Sequence, residues 1–576
     1  MTVRLKAAAR TLLVAAVLLP AAAAPPPARW LHSLPLREQA AQLVFLPFYG
    51  EAPNSQSPEY GKYLGWVREL RIGGLVLVNR VEGGLVRHAQ PHAMAVFLNR
   101  MQRVARIPLL VAGDFERGAS MRVDCETRFP HNMAFAAAGD PALSRAAGAI
   151  TARQARALGV HWVLAPVADV NNNPDNPIIN IRSYGEDPAV VAAHVTAFLA
   201  GLRSDPRYPV ITTVKHFPGH GDTATDSHLG LPVLAADRQR LERVELVPFR
   251  AAIRAGVDTI MTAHIALPAL DASGIPATLS AAILTGLLRQ ELGFTGLIVS
   301  DALDMQGVTK HFSAGQAAVK ALEAGADVLL MPADPEAAIQ AVVEAVQQGR
   351  LSRRRLQESV ARVLALKARL RLDRRRLVDV EAISEHLDAP EALRHAAQVA
   401  ERAITLLKNE GGLLPLGGAA AFLVLPENRG SVQGRRFAQE VRQRAPQAVL
   451  AVLDPAAPET ELEQAATRAA EAGAVVVAAF VSAAAYRGNV ALAGGYPRLM
   501  EKLLAAGKPV ALVALGSPYL LRSFPGVTAY LATYSTAPPS EAAAVKALFG
   551  EIAIQGRLPV TIPGLARRGE GIQVSR

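Results

Sequence analysis

The sequence predicts an α/β protein: a (β/α)8 TIM-type barrel followed by a second α/β sandwich (doubly wound) domain. Three observations lead there. Short apolar runs alternate with longer Ala/Leu/Arg-rich helical patterns, as in βα units that build a parallel sheet. Eight such runs precede residue 335 and five more follow residue 420. At 576 residues the chain is also too long for one ordinary core.

Residues 1–24 read as a secretory signal, with Arg4, Lys6 and Arg10 ahead of an apolar stretch and then small residues and prolines. Cleavage is expected near Ala22 to Ala24, and the mature protein is expected to be periplasmic or secreted. The apolar stretch, about ten residues, is shorter than the roughly 20 a bilayer span needs, so no stable membrane insertion is expected after cleavage.

The barrel is expected over 25–375. Its strands are QLVFLPF (42–48), GGLVLVN (73–79), PLLVAGD (108–114), VHWVLAP (160–166), VITTVKH (210–216), DTIMTAH (258–264), GLIVSDA (296–302) and ADVLLMP (326–332). Polar residues gather at the C-terminal ends of these runs: Asp114, Asp169, Lys215 with His216, His264, and Asp301. In such a barrel that edge carries the active site. A charged helical stretch then leads into an expected linker, 376–400. The second domain, 401–576, has the runs AAFLVLP (420–426), AVLAVLD (448–454), AVVVAAFV (474–481), PVALVALG (509–516) and VTAYLATY (527–534). No Gly-x-Gly-x-x-Gly follows the first of them, which argues against a dinucleotide site.

Composition narrows the function classes. The chain is 51% hydrophobic and 19% charged, unlike a disordered segment. Its formal charge of +11 comes mainly from arginines scattered along helices, without the interleaved aromatics of a nucleic-acid groove, so no nucleic acid is expected as a partner. The single cysteine, Cys125, excludes an internal disulfide and reads as a small buried residue.

The densest chemistry lies in KHFPGHGDTATDSH (215–228). His216 and His220 have the spacing of a helical zinc motif, but Phe217-Pro218-Gly219 between them breaks the helix that would align them, so no metal is expected. Asp226-Ser227-His228 instead sets a carboxylate two residues before an imidazole, where it can orient the ring for acid/base work.

This loop, followed by Leu231-Pro232, closely resembles the signature of the β-N-acetylhexosaminidase branch of glycoside hydrolase family 3. LLRQELGFTGLIVSDALD (287–304) resembles the same family's nucleophile motif, RAITLLKNEGGLLPL (402–416) the opening of its second domain and ALFGEIAIQGRLPVTIPG (547–564) its end. The resemblance implies that Asp301 is the nucleophile, His228 the acid/base and Asp226 its partner. It also implies that Asp114 and Arg122 in GDFERGASMRV, Arg182 in RSYGEDP, Lys215 and His216 hold the sugar's hydroxyl and N-acetyl groups. Asp304, three residues past Asp301, reads as the start of the next helix. Phe115 and Arg117 depart from the family pattern, which is glycine-rich there.

The implied activity is a retaining exo-β-N-acetylglucosaminidase on terminal GlcNAc of peptidoglycan fragments or chitooligosaccharides, with no cofactor, in a monomer. The alternatives are a β-glucosidase or a phosphorylase of the same family, or a noncatalytic sugar-binding protein. With an acid/base already on the barrel, the second domain is left a structural role or that of closing the substrate cleft.

Overall fold

The computed structural model describes residues 26–576, so the expected secretory signal lies outside the described residues. All eight expected barrel strands are present: β1 (Val44–Phe48), β2 (Gly74–Leu77), β3 (Leu110–Gly113), β4 (Trp162–Val163), β5 (Ile211–Phe217), β6 (Thr259–Thr262), β7 (Leu297–Val299) and β8 (Leu329–Leu330). They pair in parallel, β1 lying between β8 and β2 and the rest following in sequence order to β7. The last seam closes where Asp327 N donates to Ile298 O (2.7 Å) and Ser300 N to Val328 O (3.0 Å).

The strands read as continuous apolar runs because helices cover the outside and side chains fill the inside. Across the interior, the Trp162 ring meets Phe45 edge-on at 5.5 Å, and its Nε1 donates to Thr213 Oγ1 (2.8 Å) and Thr259 Oγ1 (3.1 Å). Gly74 has to be glycine here, since a Cβ would come within 2.2 Å of Leu110 O. Several helices begin on side-chain caps: Asp187 for Pro188–Leu202, Asp334 for Pro335–Gln347, and a capping box of Ser313 and Gln316 for Ala314–Ala324.

Asp327, fully buried beneath the closing seam, accepts from Arg289 (2.5 Å), Ser359 (2.5 Å), Arg362 (2.9 Å), Arg355 (3.3 Å) and the Ile298 N–H (3.0 Å). One carboxylate thus ties the helices Ala282–Glu291 and Arg353–Arg369 to strands β7 and β8.

The segment expected as a linker carries a short helix, Ser384–Leu387, and most of another, Pro390–Ala403, which packs against both the barrel helix Pro141–Ala157 and Pro538–Leu548 of the second domain. The second domain holds the five expected strands, β10 (Ala420–Leu425), β11 (Leu450–Val452), β12 (Ala474–Val481), β13 (Val510–Gly516) and β14 (Ala529–Ala532). A sixth, β9 (Thr405–Asn409), adds an antiparallel edge beside β14, giving the order β9-β14-β13-β12-β10-β11.

Both faces of this sheet are buried. Phe422, Val424, Val476 and Val513 join one apolar cluster, while Leu423, Val475, Val477 and Leu512 join another, the alternation a strand imposes. The second cluster also contains Met133, Ala134, Ala137 and Ile181 of the barrel. The two domains therefore share a core.

Asp327→Ala should cost about 2–3 kcal/mol, because it leaves three partly buried guanidinium groups without their counter-charge, a loss that solvent at Arg362 softens. Urea denaturation of the purified protein would register this as a lowered midpoint, and an unchanged midpoint would contradict it.

Candidate active site

The C-terminal ends of β3, β5, β6 and β7 bring the expected residues to one cleft. Asp114 follows β3, and Lys215 and His216 lie at the end of β5, where pairing with β6 shifts register between Val214 and Phe217. That irregularity interrupts the alternation that would send consecutive side chains to opposite faces.

These groups form one chain of alternating charge. Arg122 Nη2 donates to Asp114 Oδ2 (2.6 Å), and Lys215 Nζ bridges Asp114 Oδ1 (2.7 Å) and Glu116 Oε1 (2.8 Å). Arg182 grips Glu116 through both Nε (3.0 Å) and Nη2 (2.8 Å), and its Nη2 lies 3.5 Å from His216 Nε2. The other side of His216 meets buried Asp169, Nδ1 to Oδ2 at 2.7 Å. All five expected sugar-binding residues belong to this chain. Burial alone would raise the acids, but Lys215 and Arg122 hold Asp114 down to about 2, and Arg182 with Lys215 holds Glu116 well below the carboxylate range.

The loop carrying the other expected residues is well tied. Asn176 Nδ2 donates to His220 O (2.9 Å) and Gly221 O (3.0 Å), and a Cβ on Gly221 would meet Val170 O at 1.8 Å. Both ring nitrogens of His220 are engaged, Nδ1 with Thr223 (2.7 Å) and Nε2 with Ser227 (3.0 Å), so this histidine serves as an internal brace. Among the described residues, no group of three His, Cys, Asp or Glu side chains is arranged to hold a metal ion.

Asp226 and His228 form the expected pair. The carboxylate, buried, accepts from the His228 backbone N–H (2.9 Å) and faces its ring Nδ1 at 2.8 Å. Burial would raise Asp226, yet these bonds and the Tyr486 N–H bring it below the ordinary value, so it is an ionised acceptor and Nδ1 carries the proton. His228 Nε2 is left for chemistry, on a side chain about one-quarter exposed (23%).

Asp301 stands just past β7, its Oδ1 accepting from the Ala302 N–H (2.8 Å). Against burial, the neighbouring His264 and His216, then the Ala302 N–H and His228, draw its carboxyl below the usual range. His264, whose pKa burial lowers against the pull of Asp301, is locked between Thr278 (2.8 Å) and Ala302 O (2.9 Å). Asp304 is different: solvent reaches it, but surrounding protein and the Asp301 charge raise its carboxyl. Of the two acids, the one whose ionised form its surroundings favour is thus the one at the strand end.

Three contributors were not assigned from sequence. Glu116 was readable, because Asp114-x-Glu116 on extended backbone puts two acids on one face. Asp169 stood out only as a polar strand end. Tyr486, from the second domain, belongs to no motif; its backbone N–H donates to Asp226 Oδ2 (2.8 Å) and its ring lies 5.0 Å from that of His228. In RSYGEDP, Arg182 faces the cleft, Ser183 and Tyr184 stay within the barrel, and Gly185, Glu186 and Asp187 dock the second domain. A Cβ on Gly185 would meet Pro559 O at 2.6 Å, Glu186 accepts from Thr561 N (2.6 Å) and Oγ1 (2.7 Å), and Asp187 pairs with Arg568.

Comparison with known proteins follows the same division. Residues 36–366 match the glycosyl hydrolase family 3 N-terminal domain, and 404–571 match its C-terminal domain. A β-hexosaminidase A from Pseudoalteromonas piscicida is 33% identical over 516 residues, 80% of this chain and 84% of that protein. A solved β-N-acetylglucosaminidase of the same family from Paenibacillus sp. str. FPU-7 shares 33% identity at a TM-score of 0.82, over 92% of this chain and 99% of its own. A solved β-glucoside phosphorylase shares 26% identity at a TM-score of 0.83, over 93% of this chain and 96% of its own.

Glu116→Gln removes one acid from between Lys215 and Arg182, and should cost about 3 kcal/mol at neutral pH. Because the folded pKa of Glu116 is depressed, the stability it adds is full above its unfolded pKa and is lost progressively as pH falls from there toward the lower folded pKa. The gap between thermal melts of the two proteins should therefore narrow from pH 7 down to pH 3; a constant gap would contradict the assignment.

Proposed function

Because the chain belongs to glycoside hydrolase family 3, we propose that it is a retaining exo-β-N-acetylglucosaminidase releasing terminal β-linked GlcNAc from peptidoglycan fragments or chitooligosaccharides, in the periplasm or outside the cell. The observation that carries the reading is the Asp226–His228 pair set beside an ionised Asp301 at the strand-end face of the barrel.

Asp301 attacks the anomeric carbon while protonated His228 gives its Nε2 proton to the departing oxygen; a glycosyl ester forms and the first glycosidic bond breaks. Neutral His228 then takes a proton from water, which displaces Asp301 and restores the carboxylate. Two inversions retain the configuration. Asp226 keeps the ring in one tautomer and supports its charged state. Asp114, Arg122, Arg182, Lys215 and His216 offer charged donors and acceptors to a neutral, hydroxyl-rich sugar, where hydrogen bonds are strongest.

A second reading concerns the acceptor. An imidazole base does not repel an anion as a carboxylate would, and one structural relative is a β-glucoside phosphorylase, so phosphate is a rival to water. Product analysis with nitrophenyl-GlcNAc and nitrophenyl-glucoside, with and without phosphate, tests both points. GlcNAc released from the first substrate much faster than glucose from the second, at a rate indifferent to phosphate, is expected. Sugar 1-phosphate would establish the second reading, and equal rates on the two glycosides would overturn the GlcNAc preference.

Asp301→Asn should abolish turnover in a folded protein, since a carboxamide cannot form the ester. His228→Ala should lose about 10²–10⁴-fold on oligosaccharides, whose alkoxide needs a proton, and much less on activated aryl glycosides. Equal losses on both would rule out His228 as the acid.

A further inference from the structure

The loop that follows β12 ends one residue run directly on the acid/base pair. Its anchor is Glu427, a buried acid just after β10, which accepts from the Ser482 N–H (2.7 Å), from Gln433 Nε2 (2.8 Å) and from Arg487 Nη1 (2.6 Å). Both flanks of the segment 482–487 are thereby pinned to one carboxylate. Between them Tyr486 takes a left-handed backbone conformation, φ +66°, which costs a side-chain-bearing residue energy and persists only where surroundings over-determine it. In this conformation its N–H reaches Asp226 Oδ2 at 2.8 Å. Gly488, two residues on, lies against Leu229 of the barrel loop.

The Tyr486 ring has a different environment. It is 61% exposed although it sits 5.0 Å from the His228 ring at an interplanar angle of 61°. The ring contact with His228 and the backbone bond to Asp226 place it beside the acid/base pair, with the rest of the side chain open to solvent. An exposed aromatic face beside the acid/base has a specific geometric meaning. The general acid must face the glycosidic oxygen, so what lies beyond it is the leaving group's side.

Resting on the proposed glycosidase reading, we propose that Tyr486 makes the second domain part of the site in two ways: its backbone N–H positions Asp226, and through it His228, while its ring is the platform on which the leaving-group sugar lies. The ligand class is a pyranose whose apolar C–H face stacks on an aromatic ring. Tyr486 is a positioning residue toward His228 and a specificity residue toward the leaving sugar. The sugar beyond the cleaved bond is then recognised by the second domain, and the terminal GlcNAc by the barrel.

Three measurements on the full chain test this. Turnover of the β-fluoride of GlcNAc by the unaltered protein examines the glycosidase reading alone, because fluoride neither stacks nor needs a proton; no turnover would refute that reading and leave the binding test standing. In an Asp301→Asn background, calorimetry with di-N-acetylchitobiose and with GlcNAc examines the platform. Tyr486→Ala should weaken the disaccharide about tenfold and the monosaccharide less than about twofold, with Tyr486→Phe restoring the difference. Equal weakening of both ligands, or of neither, overturns the platform. Arg487→Met, which removes one of the loop's two ties to Glu427, should lower kcat on the disaccharide about tenfold while leaving kcat/KM on the fluoride, which reports only the steps through fluoride departure, within about twofold. Unchanged kcat on the disaccharide overturns the positioning role.

Discussion

A charge taken out of water must meet an opposite charge, and much of the site follows from that constraint. Arg122, Asp114, Lys215, Glu116 and Arg182 satisfy it in series, each member holding two neighbours or closing an end. The series crosses from the loop after β3 to the end of β5 and on to the loop after β4. It therefore adds a side-chain tie to three chain segments that also meet through the backbone, as where Ala168 N donates to Lys215 O (2.6 Å). A neutral sugar placed here meets donors and acceptors whose directions are already set, so little reorganisation accompanies binding.

The sequence made the barrel legible because parallel strands buried on both faces must be apolar throughout, and no other element of that length is. Its active-site edge was legible for a related reason: polar side chains at the ends of apolar runs have few other places to go. What escaped detection had weaker local signatures. Strand β9 carries Lys408 and Asn409 on a half-buried antiparallel edge, which dilutes the apolar pattern. Glu116 was visible as a residue but not as a partner, since its role depends on Arg182, far along the chain. Tyr486 acts through a backbone N–H, and a main-chain donor leaves no trace in residue type.

RSYGEDP shows how one short motif can answer to two demands. Arg182 belongs to the charge series of the barrel, whereas Gly185, Glu186 and Asp187 belong to the contact with Pro559, Thr561 and Arg568. Glycine is required because the loop passes within reach of a carbonyl, in a conformation (φ +137°) that a Cβ would oppose. Docking the second domain and aiming the arginine are consequently one structural event. The same coupling reappears on the other side of the cleft, where Asp226 answers both to His228 and to the second domain's backbone.

The shared apolar cluster of Met133, Ala134, Ala137 and Ile181 with the second sheet bears on how sugars come and go. A hinge that opened the domains would expose that cluster to water and break the clamps at Glu186 and Asp187 together. Traffic through the cleft then falls to the few residues at its rim, and the exchange of product for substrate becomes a matter of local loop motion. In such an architecture, altering release rates calls for changes around residues 226–230 and 482–488, and grafting a foreign second domain would alter the chemistry of a barrel whose own sequence was left untouched.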